Sequence, residues 1–99
     1  MLLLVSMANK IVSVKELVFG VNRPQRWWDE HPDQQKIFEG IKESIKNNGM
    51  KKPLEIIIDK RGYVVGVGNQ RLRALLELGI TTAPCIVTKQ SGQIKVKVH

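Results

Sequence analysis

The chain has 99 residues, a length that predicts a single domain over residues 1–99 with a modest core. Its composition, 42% hydrophobic and 25% charged, is typical of a folded protein and argues against disorder. Sixteen Lys and Arg against nine Asp and Glu give a net charge of +7. That charge favours polyanionic partners such as nucleic acid or nucleotides, although solubility alone would also explain it.

Cysteine usage and the first residues indicate the compartment. A single cysteine, Cys85, excludes an internal disulfide framework and fits a reducing, cytoplasmic environment. The opening MLLLVS is too short for a signal peptide or a membrane span, so no membrane association is expected. Residues 2–5 could add an edge strand, or Met7 could be an alternative start.

The first half of the chain predicts a strand, a loop and a helix. Residues 10–19 are rich in β-branched side chains and indicate a strand that is interrupted near Lys15. Residues 20–33 contain Gly, Asn and two Pro and indicate a loop. Residues 34–48 predict a helix that Asp33 could cap. Its apolar residues at helical spacing are Ile37, Phe38, Ile41 and Ile45.

The second half predicts three strands and one helix. In chain order these are a strand over 51–59, a turn over 60–62, a strand over 63–67, a helix over 69–78 and a strand over 81–87. The near-continuous apolar run of the first strand suits a central position in a sheet. The predicted apolar face of the helix comprises Leu72, Leu75, Leu76 and Leu78. The tail from Gln93 alternates apolar and charged residues, as a half-exposed strand would. Together these elements predict a compact α+β domain.

The junction VVGVGNQRLRA, residues 64–74, is the main candidate site. Gly66 and Gly68 can take φ > 0 and allow another group close to the backbone. The first N–H groups of the following helix would face that group, and Arg71 could bind a phosphate held there. Arg73 lies far around the helix, four residues before Glu77, and suggests a solvated ion pair. A tight turn with surface arginines explains the same residues equally well.

Other polar and aromatic residues have open interpretations. Trp27 and Trp28 could stack on a base beside Arg26 or contact a protein partner, or Trp28 could fill the core while Trp27 lies flat on the surface. Lys51 and Lys52 belong to a basic stretch that could follow a nucleic-acid backbone or simply be solvated.

The acidic segment DEHPD, residues 29–33, could hold Mg²⁺ in principle. Helix capping explains Asp33 without an ion, however, and the spacing matches no specific metal motif. We therefore predict no metal site formed by the protein alone.

The order of these segments resembles the ParB/sulfiredoxin superfamily, in its ParB N-terminal (ParB-like nuclease) branch. The resemblance covers roughly residues 11–88, and NRPQR at 22–26 is similar to an N-P-x-Q-P-R box of that family. The matching positions are Ser44, Ile45, Gly49, Pro53, Gly68, Arg71, Ala74, Gly79 and Pro84. The resemblance implies a compact fold with a small mixed sheet and two main helices.

The resemblance also implies a phosphate site for a nucleotide or nucleic acid at the 68–71 turn, closed by the 25–26 loop. The residues expected to bind are Gly66, Gly68, Asn69, Gln70, Arg71, Gln25 and Arg26. Trp27, Trp28, Lys51 and Lys52 are the expected contacts to nucleic acid or a protein partner. Mg²⁺ would enter with a nucleoside triphosphate. A free-standing domain of this kind suits a phage or mobile-element protein.

Two departures from the family pattern bear on chemistry. Family members commonly read G-E-R-R at this turn, but Asn69 stands here in place of the glutamate. In the sulfiredoxin branch the same place holds the reactive cysteine, and an amide cannot act as the nucleophile, so sulfiredoxin activity is not expected. The enzymatic alternative, a metal-dependent nuclease or nucleoside triphosphatase, would need its carboxylate from Asp29, Glu30 or Asp33. The third alternative is a catalytically silent protein-interaction module.

Overall fold

A computed structural model describes residues 9–90 of the chain. The strands predicted at 2–5 and in the tail from Gln93 lie outside these residues. The described strands are β1 Asn9–Ser13, β2 Leu17–Phe19, β3 Leu54–Asp59, β4 Gly62–Val67 and β5 Thr82–Gln90. The helices are α1 Gln25–Glu30, α2 Pro32–Asn48 and α3 Asn69–Leu78. A 3-10 turn, Val14–Glu16, separates β1 from β2 and confirms the predicted interruption near Lys15.

The strands form a mixed sheet in the order β1-β5-β3-β4-β2. β3 pairs antiparallel with β4 and parallel with β5, so it is the central strand, as its apolar run predicted. β1 joins β5 antiparallel, and β2 joins β4 in parallel. The ends of β2 and β4 therefore lie side by side, and the segments that follow them, at Gly20 and Gly68, meet at one edge of the sheet.

The core lies between this sheet and the two longer helices. Its fully buried large side chains include Phe38, Leu54, Ile56, Leu72 and Leu75. Cys85 is also buried in the core, and burial raises the pKa of its thiol, as expected of a structural cysteine rather than a reactive one. The α+β fold with a small mixed sheet and two main helices is confirmed.

Three local predictions are wrong. The segment 20–33 is not all loop, because α1 starts directly after Pro24, whose fixed φ suits a helix start. The N-cap of α2 is His31 rather than Asp33, since Pro32 occupies the first helical position. Ile37 and Leu76 are about half exposed, at 52% and 48%, because each helix buries a narrower stripe than its apolar residues suggested.

None of the helices in residues 9–90 combines the length and the apolar character needed to cross a bilayer.

Candidate functional site

A cleft of about 280 Å³ opens where α3 begins, and we call it the α3 cleft. Its walls come from the segment after β2, from α1 and from the first turns of α3. The lining residues are Phe19, Val21, Asn22, Arg23, Trp27, Trp28, Gly68, Asn69, Gln70 and Arg73. It brings together five of the predicted site residues: Trp27, Trp28, Gly68, Asn69 and Gln70.

Gly68 shapes the turn into α3. It has φ 109°, a conformation that L side chains rarely adopt, and a Cβ there would lie 2.6 Å from Leu54 Cδ2. Gly68 is the N-cap residue and has no side chain that could cap the helix, so the first N–H groups of α3 have no capping side chain at this position and can bind an acceptor. Gly66 differs from the expectation, because its φ is not positive and a Cβ would make ordinary contacts there.

Asn69 joins the two chain segments that meet at the cleft. Its Oδ1 accepts hydrogen bonds from the N–H groups of Gly20 (2.8 Å) and Val21 (3.2 Å). Its Nδ2 donates to the carbonyl oxygen of Val65 at 3.1 Å. The amide satisfies acceptors and donors on both sides, which a carboxylate could not do. Asn69 is therefore a structural link between β2, β4 and α3 in this conformation.

Gly20 has a packing role in the same link. A Cβ on Gly20 would collide with the carbonyl oxygen of Val65, so the backbone of the segment after β2 approaches β4 more closely than any other residue would allow. The sequence interpretation treated Gly20 only as part of a loop.

The two arginines of α3 point to different places. Arg71 Nη1 donates to the carbonyl oxygen of Lys52 at 2.8 Å, and Arg71 lines a separate hollow at the end of α2 rather than the α3 cleft. Arg73 does line the α3 cleft, with its guanidinium 4.4 Å from the ring centroids of both Trp28 and Phe38. The predicted pair with Glu77 is present at 3.0 Å, but Arg73 is not a solvated residue.

Sequence reasoning missed Arg73 as a cleft residue, although a signal was available. Asn69 and Arg73 are four residues apart on one helix and so share a face. Two polar atoms on this face lack a partner within the described residues, Gln70 Oε1 and Arg73 Nη1. Buried polar atoms are normally paired, and unpaired ones often mark functional positions.

The tryptophans divide as one of the interpretations predicted. Trp28 is 6% exposed and packs on Phe38, so it fills the core below the cleft. Trp27 is half-buried at the rim, where His31 stacks on its ring at 4.1 Å and the Arg23 guanidinium lies 4.3 Å from its centroid. A base could stack on Trp27 only after one of these groups moved.

Gln25 and Arg26 do not line the cleft in this structure. Gln25 Nε2 donates to Asp29 Oδ1 at 2.9 Å, and Arg26 pairs with Glu30 at 3.7 Å with 86% of its side chain exposed. Each pair spans four residues, so the geometry of α1 itself keeps them on its outer face. Their neighbours in the NRPQR segment, Asn22 and Arg23, line the cleft instead.

The remaining candidates lie elsewhere. Lys51 and Lys52 are exposed beside the hollow at the end of α2, which has a volume of about 290 Å³. In the part of the chain that the structure describes, no group of three or more His, Cys, Asp or Glu side chains could hold a metal ion. His31 instead donates from Nδ1 to the Trp27 carbonyl oxygen at 2.7 Å.

Comparison with solved structures shows the same fold in proteins of different activity. One is the C-terminally truncated chromosome-partitioning protein ParB from Caulobacter crescentus, complexed with CTP-gamma-S. It has a TM-score of 0.63 and 18% identity, over 92% of this chain and 49% of that one. Sulfiredoxin from Arabidopsis thaliana has a TM-score of 0.60 and 18% identity, over 91% of this chain and 98% of that one.

A third solved structure is free serine kinase in complex with AMP, with a TM-score of 0.62 and 19% identity over 82% of this chain. The present chain spans only 31% of the kinase, and about half of the ParB structure. Identities at this level show the fold alone. No curated protein sequence matches the chain. A family model, the ParB N-terminal domain, matches residues 5–99, and the chain therefore belongs to the ParB N-terminal domain family.

Proposed function

We propose that the protein binds a nucleotide in the α3 cleft, with the phosphates directed at the start of α3. The observation that carries this proposal is the combination of an uncapped helix start with two lining arginines, Arg23 and Arg73. None of the described residues that line the cleft is acidic. Helix N–H groups and guanidinium groups are the donors that bind phosphate best, and the Arg73 guanidinium is paired with Glu77, a carboxylate outside the cleft lining.

The dimensions and the apolar surface of the cleft favour a single nucleotide over a nucleic-acid strand. A volume of about 280 Å³ lies near the lower end of small-molecule pockets. Phe19 and Val21 supply apolar surface for a base, and Trp27 would add to it once Arg23 or His31 moved. Asn22 and Gln70 supply polar groups that could orient the base. The ParB structure with CTP-gamma-S and the kinase structure with AMP support the proposal, because the fold accommodates nucleotides in those proteins.

The residues support binding more strongly than turnover. Asn69 replaces the family glutamate and has both ends of its amide bound to the backbone. The carboxylates available to the nuclease or triphosphatase alternative lie outside the cleft lining, where Asp29 accepts from Gln25 and Glu30 pairs with Arg26. No observation favours that alternative, so it is not carried further. Mg²⁺ would arrive with a bound triphosphate.

The proposal is tested by titrating the protein with CTP and ATP, with and without Mg²⁺. The two tryptophans of the chain both line the cleft, so binding should change the intrinsic fluorescence in a saturable way. Calorimetry provides the second readout. A flat calorimetric titration with every nucleotide would overturn the proposal, and a short DNA duplex and a single strand would then be the next ligands to titrate.

Arg23 and Arg26 provide a matched pair of variants. They carry the same charge in the same segment, but only Arg23 lines the cleft. Arg23→Ala should weaken nucleotide binding on the order of tenfold, the effect of one charge-assisted contact, whereas Arg26→Ala should leave it nearly unchanged. Calorimetry is preferred for these variants, because Arg23 stacks on Trp27 and its loss would alter the fluorescence directly. Equal losses in both variants would indicate a diffuse charge effect instead of a site.

A further inference from the structure

Trp27 has one stacking neighbour four residues before it and another four residues after it. The Arg23 guanidinium lies 4.3 Å from the Trp27 ring centroid, and the His31 ring lies 4.1 Å from it with an interplanar angle of 18°. Because Trp27 belongs to the short helix α1, residues at these two spacings approach its ring from opposite ends of the helix. Arg23 and Trp27 line the α3 cleft, whereas His31 does not. Arg23 therefore covers the face of the ring that is turned toward the cleft, and His31 backs the other face.

His31 is held in place by several contacts. Its Nδ1 lies 2.7 Å from the carbonyl oxygen of Trp27, and its backbone N–H donates to the carbonyl oxygen of Trp28 at 3.1 Å. Its own carbonyl oxygen accepts from the N–H groups of Gln34 and Gln35, because His31 is the N-cap residue of α2. The Trp27 ring is anchored in turn by an edge-to-face contact with the buried Trp28, at 5.0 Å between centroids. The ring and the group behind it are therefore built into the junction of α1 and α2.

Arg23 is held by fewer contacts than His31. It is exposed and lies outside regular secondary structure, in the segment that leads through Pro24 into α1. None of the four ion pairs among the described residues includes Arg23. A cation over an aromatic ring at an exposed position is a weak contact, and stacking of a nucleobase on such a ring is stronger. A base that enters the cleft can therefore take the place of the guanidinium.

We propose that Trp27 is the stacking platform for the base of the nucleotide, and that Arg23 is a displaceable cover of that platform. In the free protein the guanidinium occupies the cleft face of the ring. When a nucleotide binds, its planar base replaces the guanidinium, and the released Arg23 contacts the phosphates. Arg23 thus has two exclusive positions, one in each state. This assignment rests on the proposed function and adds the class of group that Trp27 recognises, a planar aromatic ring.

Nuclear magnetic resonance measures the displacement directly in the wild-type protein. Protons stacked over an indole ring experience its ring current, so the side-chain protons of Arg23 should be shifted upfield in the free protein. Titration with uridine or CTP should remove that shift while the indole N–H signal of Trp27 moves. The matched ligand is 5,6-dihydrouridine, whose base is no longer aromatic, and it should bind roughly fivefold or more weakly than uridine. An upfield shift of Arg23 that persists in the saturated complex would overturn the proposal.

Arg23→Ala and His31→Ala form a matched pair, because each removes one stacking neighbour of Trp27. Arg23→Ala uncovers the cleft face and should raise the affinity for uridine about twofold to fivefold, the strength of an exposed cation–π contact. The same variant should lower the affinity for CTP, because the contact to the phosphates is lost. His31→Ala removes the backing group and should not raise the affinity for uridine. Trp27→Leu should lower that affinity roughly fivefold to a hundredfold.

The outcomes separate this assignment from the proposed function. If the wild-type protein binds neither nucleosides nor nucleotides, both fail. If it binds CTP but does not distinguish uridine from 5,6-dihydrouridine, the proposed function stands and the stacking platform is wrong. If Arg23→Ala and His31→Ala raise the affinity for uridine equally, loosening of the Trp27 ring explains the gain, and the role of Arg23 as a cover is overturned. Melting curves of every variant establish that each is folded at the assay temperature.

Discussion

Two turns of this protein contain a glycine with almost the same positive φ, yet of these two glycines only Gly68 lines the α3 cleft. Gly62, in the hairpin between β3 and β4, has φ 108°, and Gly68, between β4 and α3, has φ 109°. A Cβ on Gly62 would meet nothing within 4 Å, whereas one on Gly68 would run into Leu54 and the side chain of Arg71. Both turns therefore need a residue that tolerates a positive φ. The turn at Gly62 meets this need on the surface, and the turn at Gly68 meets it against the core.

The two turns also differ in whether their polar groups have hydrogen-bond partners. In the hairpin, Asp59 accepts from the Arg61 backbone N–H at 2.7 Å and from its guanidinium at 2.6 Å, so the turn satisfies its own groups. At the start of α3, Gln70 Oε1 and Arg73 Nη1 are left without partners in the described residues. The hairpin turn therefore pairs its polar groups locally. The two unpaired atoms at the start of α3 are themselves buried, so they mark incomplete pairing within the fold and not donors or acceptors open to the cleft.

The largest difference is expected from alanine substitutions at the two glycines. Gly68→Ala adds steric conflict with Leu54 to an unfavourable φ, and should lower the free energy of unfolding by roughly 2 to 5 kcal/mol. Gly62→Ala has the unfavourable φ alone, and should cost about 1 kcal/mol. Urea denaturation of both variants measures the two values. Equal costs would show that Leu54 moves aside easily and that packing does not distinguish the turns.

The next test is at Asn69, whose amide links the segment after β2 to β4 at the start of α3. In Asn69→Asp the Val65 carbonyl oxygen loses its donor and faces a carboxylate oxygen, so the free energy of unfolding should fall by about 1 to 3 kcal/mol at neutral pH. The cost should shrink below about pH 4, where a protonated acid can donate to that carbonyl.

Asn22→Asp is the control for Asn69→Asp. Asn22 lines the same cleft, so the substitution adds the same charge nearby without removing the link to Val65. We expect it to change stability little. If both variants were destabilised equally, repulsion or attraction by the new charge would explain the result, and the role assigned to the Asn69 amide would be wrong.

Much of the fold was predictable because it depends on local patterns. The bounds of α3 and the central position of β3 follow from apolar spacing and from Gly and Pro positions. The burial of Trp28 was one of the interpretations that the sequence left open. The helix α1 was missed because its six residues, QRWWDE, have no helical apolar stripe. It is held by the packing of Trp28 on Phe38, a contact between elements that no local pattern reveals.

The site was less predictable than the fold. The sequence located the junction at Gly68 but could not tell which arginine faces the cleft, because that depends on what each guanidinium contacts across the fold. The carbonyl of Lys52 that accepts from Arg71 is 19 residues away in the chain, and the Lys42 that fixes Glu77 is 35 residues away. Helical spacing from Asn69 to Arg73 was the one local signal available.

The smallest effect is expected at the hairpin, where Asp59→Asn removes a charge but keeps the oxygen that accepts from the Arg61 N–H. The side-chain and backbone hydrogen bonds of Arg61 hold the pKa of Asp59 below its usual value of 3.8. Because the folded pKa is the lower one, the contribution of the charge is present above pH 3.8 and is lost as the pH falls through the folded pKa. Surface ion pairs contribute little, so at neutral pH the variant should unfold at nearly the wild-type urea concentration. Once the pH has fallen below the folded pKa of Asp59, the two curves should coincide. A large loss of stability in Asp59→Asn at neutral pH would mean that the hairpin, like the start of α3, depends on a polar network beyond its own turn.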